Sequence, residues 1–124
     1  LYVGEWRPSM STITVTNIKA TGETASRSAT SIAAAWVDFD GTGTVSVKAS
    51  FNNSSITDNG TGDYTNNFSN AFSSVNYTHV AGGSQAATLV DGITASSSEI
   101  SIYNLSNGSV DRDTVSMVHH GVLA

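Results

Sequence analysis

Cysteine is absent from the 124 residues, and proline occurs once, at Pro8. Without cysteine there is no disulfide, no thiolate metal site and no cysteine nucleophile. Small domains that work outside a cell are commonly stapled by disulfides. A chain without them needs another stabiliser, and association of copies is the usual one. Charge is also scarce: five basic against ten acidic residues, a net charge of −5, with charged residues only 12% of the chain. Arg7, Lys19, Arg27, Lys48 and Arg112 stand singly. They form no basic stripe, so binding to nucleic acid has no electrostatic footprint. No apolar run approaches the roughly eighteen residues of a membrane span, so no membrane insertion is expected. No secretory leader is visible. The first residue is Leu1 rather than methionine, which leaves a removed or longer upstream segment open.

Ser, Thr, Asn, Gly and Ala fill the space that charge leaves. Such a surface is covered by uncharged hydrogen-bonding groups instead of ion pairs. The length suits one domain with a real core. Residues 4–9, around Pro8, read as a connector. The expected organisation is a connector over residues 1–10 and a single β-sandwich domain over residues 11–124.

Within that domain the pattern has period two. Residues 11–19 alternate Ile13 and Val15 against threonines, which predicts a half-buried strand. Residues 21–31 read as a long loop. Residues 33–39 put Ala33, Ala35, Val37 and Phe39 on one face and Trp36 and Asp38 on the other, although three successive alanines would also tolerate a helical turn. Residues 44–51 put Val45, Val47, Ala49 and Phe51 inward. Residues 40–43 and the run Asn59-Gly60-Thr61-Gly62 supply hairpin turns. Further strands are predicted at 76–80, 86–90, 99–105 and 114–122, with one short helical turn at 70–74. The expected fold class is all-β: an antiparallel β-sandwich of about eight short strands with no substantial helix.

Two stretches then match a known group. Residues 35–45 read AWVDFDGTGTV and residues 50–65 read SFNNSSITDNGTGDYT. With the lead-in ITVTNI at 13–18, ATGETASR at 20–27 and the ending HGVLA at 120–124, the chain resembles the C-terminal domain of tailed-bacteriophage and prophage tail fibre proteins. The resemblance covers residues 12–72 well and the rest loosely. Asn66 departs from it, standing where an apolar strand residue is expected. So does Val122, where an acidic residue is common. The resemblance implies a homotrimeric fibre end or branch, assembled in the bacterial cytoplasm and carried on the virion. Its implied partners are other tail proteins and a bacterial surface polysaccharide or protein.

Several motifs suggest chemistry, each with a plainer reading beside it. Asp38-Phe39-Asp40-Gly41-Thr42 matches the nucleophile motif of haloacid-dehalogenase-type phosphatases, in which paired aspartates hold magnesium. That chemistry needs an α/β sheet and helices this chain lacks, so a strand ending in a glycine turn is the plainer reading. Asp38-x-Asp40 also mimics part of a calcium loop but lacks its closing glutamate. His119 and His120 are neighbours on one strand and point to opposite faces. A packed or hydrogen-bonded histidine is expected there, and at His79. Asp111 and Asp113, with Arg112 between them, read as a solvated rim and not as a glycosidase pair. The Asn-x-Thr triplets at Asn59 and Asn76 follow from composition. No cofactor or metal is expected.

Phe39, Phe51, Tyr64 and Phe68 are expected in the core. Trp36, Tyr77 and Tyr103 are expected to project outward or into a subunit interface, where such rings stack on sugars or anchor proteins. The glycine-rich turns at Thr61, Gly83 and Asn107 are candidate tips. Three functions follow: a host-recognition fibre module, a purely structural virion protein (tail tip, fibre shaft or capsid decoration), or a depolymerase. The first is favoured, and no catalytic motif survives its context.

Overall fold

The structure is a computed structural model that describes Gly4 and residues 12–124. Gly4 apart, the expected connector over residues 1–10, with Pro8, lies outside the described residues. The first described elements are two short strands, β1 (Asn17–Ile18) and β2 (Arg27–Ser28), paired in a two-stranded ribbon. This corrects the half-buried strand expected over residues 11–19. Ile13 is 83% exposed, because alternation buries a face only where a second layer covers it. A single 3-10 turn, Ala29–Ser31, follows. The Ser28 hydroxyl caps it by accepting from the Thr30 backbone N–H.

Eight further strands follow: β3 (Ala35–Asp40), β4 (Ser46–Phe51), β5 (Asn53–Gly60), β6 (Asp63–Phe68), β7 (Thr78–Gly83), β8 (Ala87–Ile93), β9 (Ser97–Tyr103) and β10 (Val115–His120). They form two four-stranded sheets, β4-β3-β10-β7 and β5-β6-β9-β8, with every pairing antiparallel. The fold is therefore an antiparallel β-sandwich. The helical turn expected at 70–74 is absent. Phe72 bridges Leu123 in the extended conformation instead.

The central strands β3, β6, β9 and β10 alternate buried and open positions along their whole length. Their inward residues form two clusters. One holds Val37, Phe39, Tyr64, Ile100, Ile102, Val115 and Met117. The other holds Ala34, Ala35, Phe68, Phe72 and Tyr77. Each large buried side chain contributes about 1.5–3 kcal/mol relative to exposure. A polar layer separates the clusters. The Asn53 side chain donates to Asn66 Oδ1 at 2.6 Å, Asn66 lies opposite Ser98, and Ser98 Oγ shares a hydrogen bond of 2.8 Å with His119 Nε2. The His119 ring then packs against His79, with centroids 4.4 Å apart. Asn66 is wholly buried, so the departure from the apolar residue expected there falls inside the core.

Strand β4 corrects a second expectation. Trp36 pairs with Phe51 and Asp38 with Ala49, but Phe39 pairs with Val47. Lys48 is the unopposed residue of a β-bulge. One extra residue reverses the faces of everything beyond it, so Ala49 and Phe51 lie on the outer face and Phe51 is 53% exposed. A single residue, Asn52, joins β4 to β5 with φ 54. Asparagine tolerates this left-handed conformation better than most residues. Its side chain fixes the corner by accepting from Asn70 N at 2.7 Å and donating to Ala34 O at 3.2 Å.

Strands β3, β5, β7 and β9 all run toward one end of the sandwich, and their partners run back. The four connecting turns therefore meet there. Gly41 N donates to Arg112 O, Ile102 N to Gly62 O, Val110 N to Ile102 O, and Ser84 N to Thr114 O. The chain enters β3 and leaves β10 at the opposite end.

Candidate functional site

The end that carries the turns is held by short polar contacts. Asp40 closes its turn by accepting from Thr42 N at 2.8 Å and Thr42 Oγ1 at 2.6 Å. These bonds hold its carboxyl below the usual aspartate value. The Tyr64 hydroxyl donates to Asp111 Oδ1 at 2.6 Å, with the Gly41 carbonyl a second acceptor at 2.9 Å. Gly62 N donates to the same Asp111 oxygen at 2.7 Å. Burial first, and then the neighbouring Asp111, push the Tyr64 phenol above its ordinary value. Asp111 is thus a half-buried latch between two turns, which corrects its expected place on a solvated rim, while Asp113 is exposed. Tyr64→Phe is expected to lower stability by about 1–3 kcal/mol, the penalty for leaving buried acceptors short of a donor. Urea denaturation would read it as a lower midpoint with an unchanged slope.

An open cleft of about 370 Å³ lies beside this latch, lined by Thr42, Ser84, Gln85, Asp111, Arg112 and Asp113. The Ser84 hydroxyl donates to Asp113 Oδ1 at 2.9 Å. Lys48 Nζ donates to the Asp113 carbonyl. Arg112 Nη2 donates to the Gln85 carbonyl at 3.0 Å, while its Nε is buried without an acceptor among the described residues. Gln85 sits at φ 51, an uncommon conformation for glutamine and one often found at ligand sites. The candidate tips share this end. Thr61 and Asn107 are exposed on the β5–β6 and β9–β10 turns, and Gly83 closes β7. Asn104 Oδ1 shapes the turn under Asn107 by accepting from Ser106 N at 2.8 Å and Gly108 N at 3.0 Å. Tyr103 ends β9, half-buried, and bridges Ser109. Ser84 and Gln85 were not singled out from sequence, and Arg112 was read only as part of a solvated rim. The signal available for Ser84 and Gln85 was the glycine pair Gly82-Gly83 preceding them.

Trp36 lies elsewhere, near the start of β3 on the outer face of the β4-β3-β10-β7 sheet. Phe51, Trp36, Val118 and Val80 stand directly opposite one another across its four strands. Trp36 is 37% and Val80 60% exposed, so an apolar row crosses this face from edge to edge. The outer face of the other sheet is polar across β5 and β6: Asn59 donates to Thr65 Oγ1 at 2.9 Å, and Asn67 to Thr57 Oγ1 at 2.9 Å. Tyr77, expected to project outward, is buried. It stacks on Phe72 with centroids 4.2 Å apart, and its hydroxyl donates toward Thr94 O and Ser97 O at 2.9 Å each. Burial pushes its phenol up to about 12. It lies outside any strand, so period-two reasoning could not orient it.

The two aspartates of the phosphatase-like motif both leave the core. Asp38 accepts from the Ser116 hydroxyl at 3.3 Å on the outer face, and Asp40 caps its turn. The surrounding sheet is antiparallel, not the parallel, helix-flanked sheet that motif requires. His119 and His120 point to opposite faces, His119 into the core and His120 Nδ1 within 3.0 Å of Ser31 O. Among the described residues no three His, Asp or Glu side chains converge as a metal site, and no helix is long and apolar enough to cross a membrane. Comparison with protein-family models, curated proteins and solved structures found no match.

Proposed function

We propose that the chain is a non-enzymatic module of a phage tail fibre that contacts the bacterial surface from the virion. The observation that carries this is the gathering of four turns, with their polar cleft, at the end opposite the one where the chain enters and leaves the sandwich. A module tethered at one end presents the other to a partner, and loops on a rigid scaffold are where binding residues concentrate. The resemblance of residues 12–72 to tail fibre domains supports the same reading. Three copies presenting equal weak sites would attach far more firmly than one, through effective concentration.

The test is adsorption of the purified, labelled chain to a panel of bacterial strains. Strain-selective binding that the unlabelled chain competes away supports the proposal. No selective binding to any strain whose phages carry such fibres would refute it.

The apolar row across the β4-β3-β10-β7 face favours a second reading, a purely structural virion protein whose outer face packs against neighbours. Exposed apolar stripes of this kind mark interfaces more often than free surface. Under either reading Trp36→Ser with Phe51→Ser is expected to reduce self-association, seen by light scattering as a shift from trimer to monomer mass. The turn-bearing end would be untouched. A wild-type chain that stays monomeric at micromolar concentration would exclude the trimer.

A further inference from the structure

We propose that the arm formed by residues 12–16 of one copy docks in the apolar groove beside Phe51 of a second copy. The inference goes beyond host recognition and holds whether the domain meets a bacterium or another virion protein. The groove has a volume of about 360 Å³ and lies at the end where the chain enters and leaves the sandwich. Ala29, Ile32, Ala33, Phe51, Val122 and Leu123 form most of its wall. Ile32, Phe51 and Val122 are each more than half exposed. No charged side chain lines the groove, so an ionic ligand finds no counter-charge there. Phe51 also ends the apolar row through Trp36, Val118 and Val80, and the groove continues that row around the end of the sheet.

The arm is the matching half. Thr12, Ile13, Thr14, Val15 and Thr16 alternate polar and apolar side chains of strong strand preference. Ile13 and Val15 are nevertheless exposed, and among the described residues no backbone hydrogen bond involves residues 12–15. By sequence the arm is a strand, yet it has neither a neighbouring strand nor a covering layer among those residues. Its anchor is Thr16, whose carbonyl accepts from Ala29 N at 2.8 Å, and Ala29 belongs to the groove wall. Arm and groove therefore share one end of every copy. Ile13 is within roughly 10 Å of chain from that anchor, and still it is absent from the wall of its own groove. Copies packed side by side in one orientation bring the arm of each to the groove of the next. Each gives one arm and receives one, so the contacts close into a ring. The arm, like the groove, carries no charge, which leaves apolar burial as the attraction. Such an exchange provides the association that a chain without disulfides needs.

The chain has no cysteine of its own, so introduced thiols report contacts without background. Full chains carrying Ile13→Cys and Val122→Cys are co-expressed, purified together and treated with a short bis-maleimide. A covalent species holding one chain of each kind, identified by its intact mass, is the expected product. Ile13→Cys paired with Thr61→Cys, at the turn-bearing end, should give none. Ile13→Ser with Val15→Ser alters side chains that are exposed within the single chain, so the fold is kept. Self-association of that variant, followed by analytical ultracentrifugation, should weaken by about tenfold or more. The proposal is overturned if the parent stays monomeric at micromolar concentration, if Thr61→Cys cross-links as readily as Val122→Cys, or if the serine variant associates as tightly as the parent. It is equally overturned if Ile13→Cys and Val122→Cys join only when both are placed in one chain, the mark of an arm folded into its own groove. Adsorption to bacteria separates this from the recognition role. Cross-linking without adsorption keeps the exchange and loses recognition, and adsorption without cross-linking does the reverse.

Discussion

Between about pH 6.5 and about pH 4 the fold is expected to lose about 3 kcal/mol through His119 alone, with a further loss through His79. His119 has no exposed surface, and His79 is half-buried against it. Burial lowers both imidazoles to about 4; for His119 the nearby His79 acts in the same direction, the Ala35 backbone opposes it less strongly, and His120 adds least. The cause is visible in the polar layer. His119 Nε2 already shares the Ser98 hydroxyl, its Nδ1 has no partner, and neither nitrogen of His79 has one. An added proton on His119 gains only the contact with the Ala35 backbone, one on His79 gains no acceptor among the described residues, and two protons place like charges in adjacent rings. Both folded-state values lie below the unfolded value, so the unfolded chain binds protons first. The stabilisation is complete above about pH 6.5, shrinks as the pH falls below it, and is spent by about pH 4. His79 is partly open to solvent and contributes less than its shift alone implies. Urea midpoints measured across this window should fall steeply for the parent and stay nearly level for His79→Leu with His119→Leu. Should that variant fold poorly, histidine resonances of the parent provide a second readout. His79 or His119 rings that titrate near 6.5 in the folded state would contradict the burial argument.

Gly62→Ala is expected to destabilise the fold by about 3 kcal/mol or more, the range of substitutions that combine backbone strain with a steric clash. Gly62 lies at φ 70, and an added Cβ would come within 2.6 Å of Ile102 O and 2.8 Å of Val110 N. Both neighbours are backbone atoms, so no side chain can swing aside. Gly62 also donates to Asp111 and accepts from Ile102 N at 2.7 Å, which ties the strain directly to the latch beside the cleft. Gly43→Ala is the matched control. Its φ is 61, but the added Cβ would meet open space, so only the conformational part remains, about 1 kcal/mol. Chemical denaturation of both variants separates the clash from the strain. Equal losses would show that the close approach to Ile102 and Val110 is relieved by backbone movement.

The inner strands were legible because both of their faces obey one rule. Ala35, Val37 and Phe39, or Ile100 and Ile102, recur at every second position and are buried as alternation requires. Strand β4 was misread at the bulge. Alternation carries no mark for an extra residue, so Val47 was assigned to the same face as Phe51 when Lys48 divides them. Residues 12–19 obey the pattern but have no layer above them among the described residues, and pattern alone does not disclose a missing partner. At the candidate site, the turns near Thr61, Gly83 and Asn107 announced themselves through glycine and asparagine. Their convergence did not, because it depends on strands pairing across distant parts of the chain. Nor did the tie from Tyr64 to Asp111, residues 47 apart in sequence. Nothing in composition separates a latch carboxylate from a solvated one.

The bulges have a consequence for life at high local density. Of the four outermost strands, β4 is interrupted at Lys48, β5 at two places, and β8 at Asp91. Interruptions of this kind spoil the template that a neighbouring chain would need for extending a sheet. Only β7 pairs in unbroken register. A crowded array of these domains is therefore guarded against runaway stacking on three flanks, and any ribbon-to-ribbon adhesion between copies would begin along Thr78–Gly83.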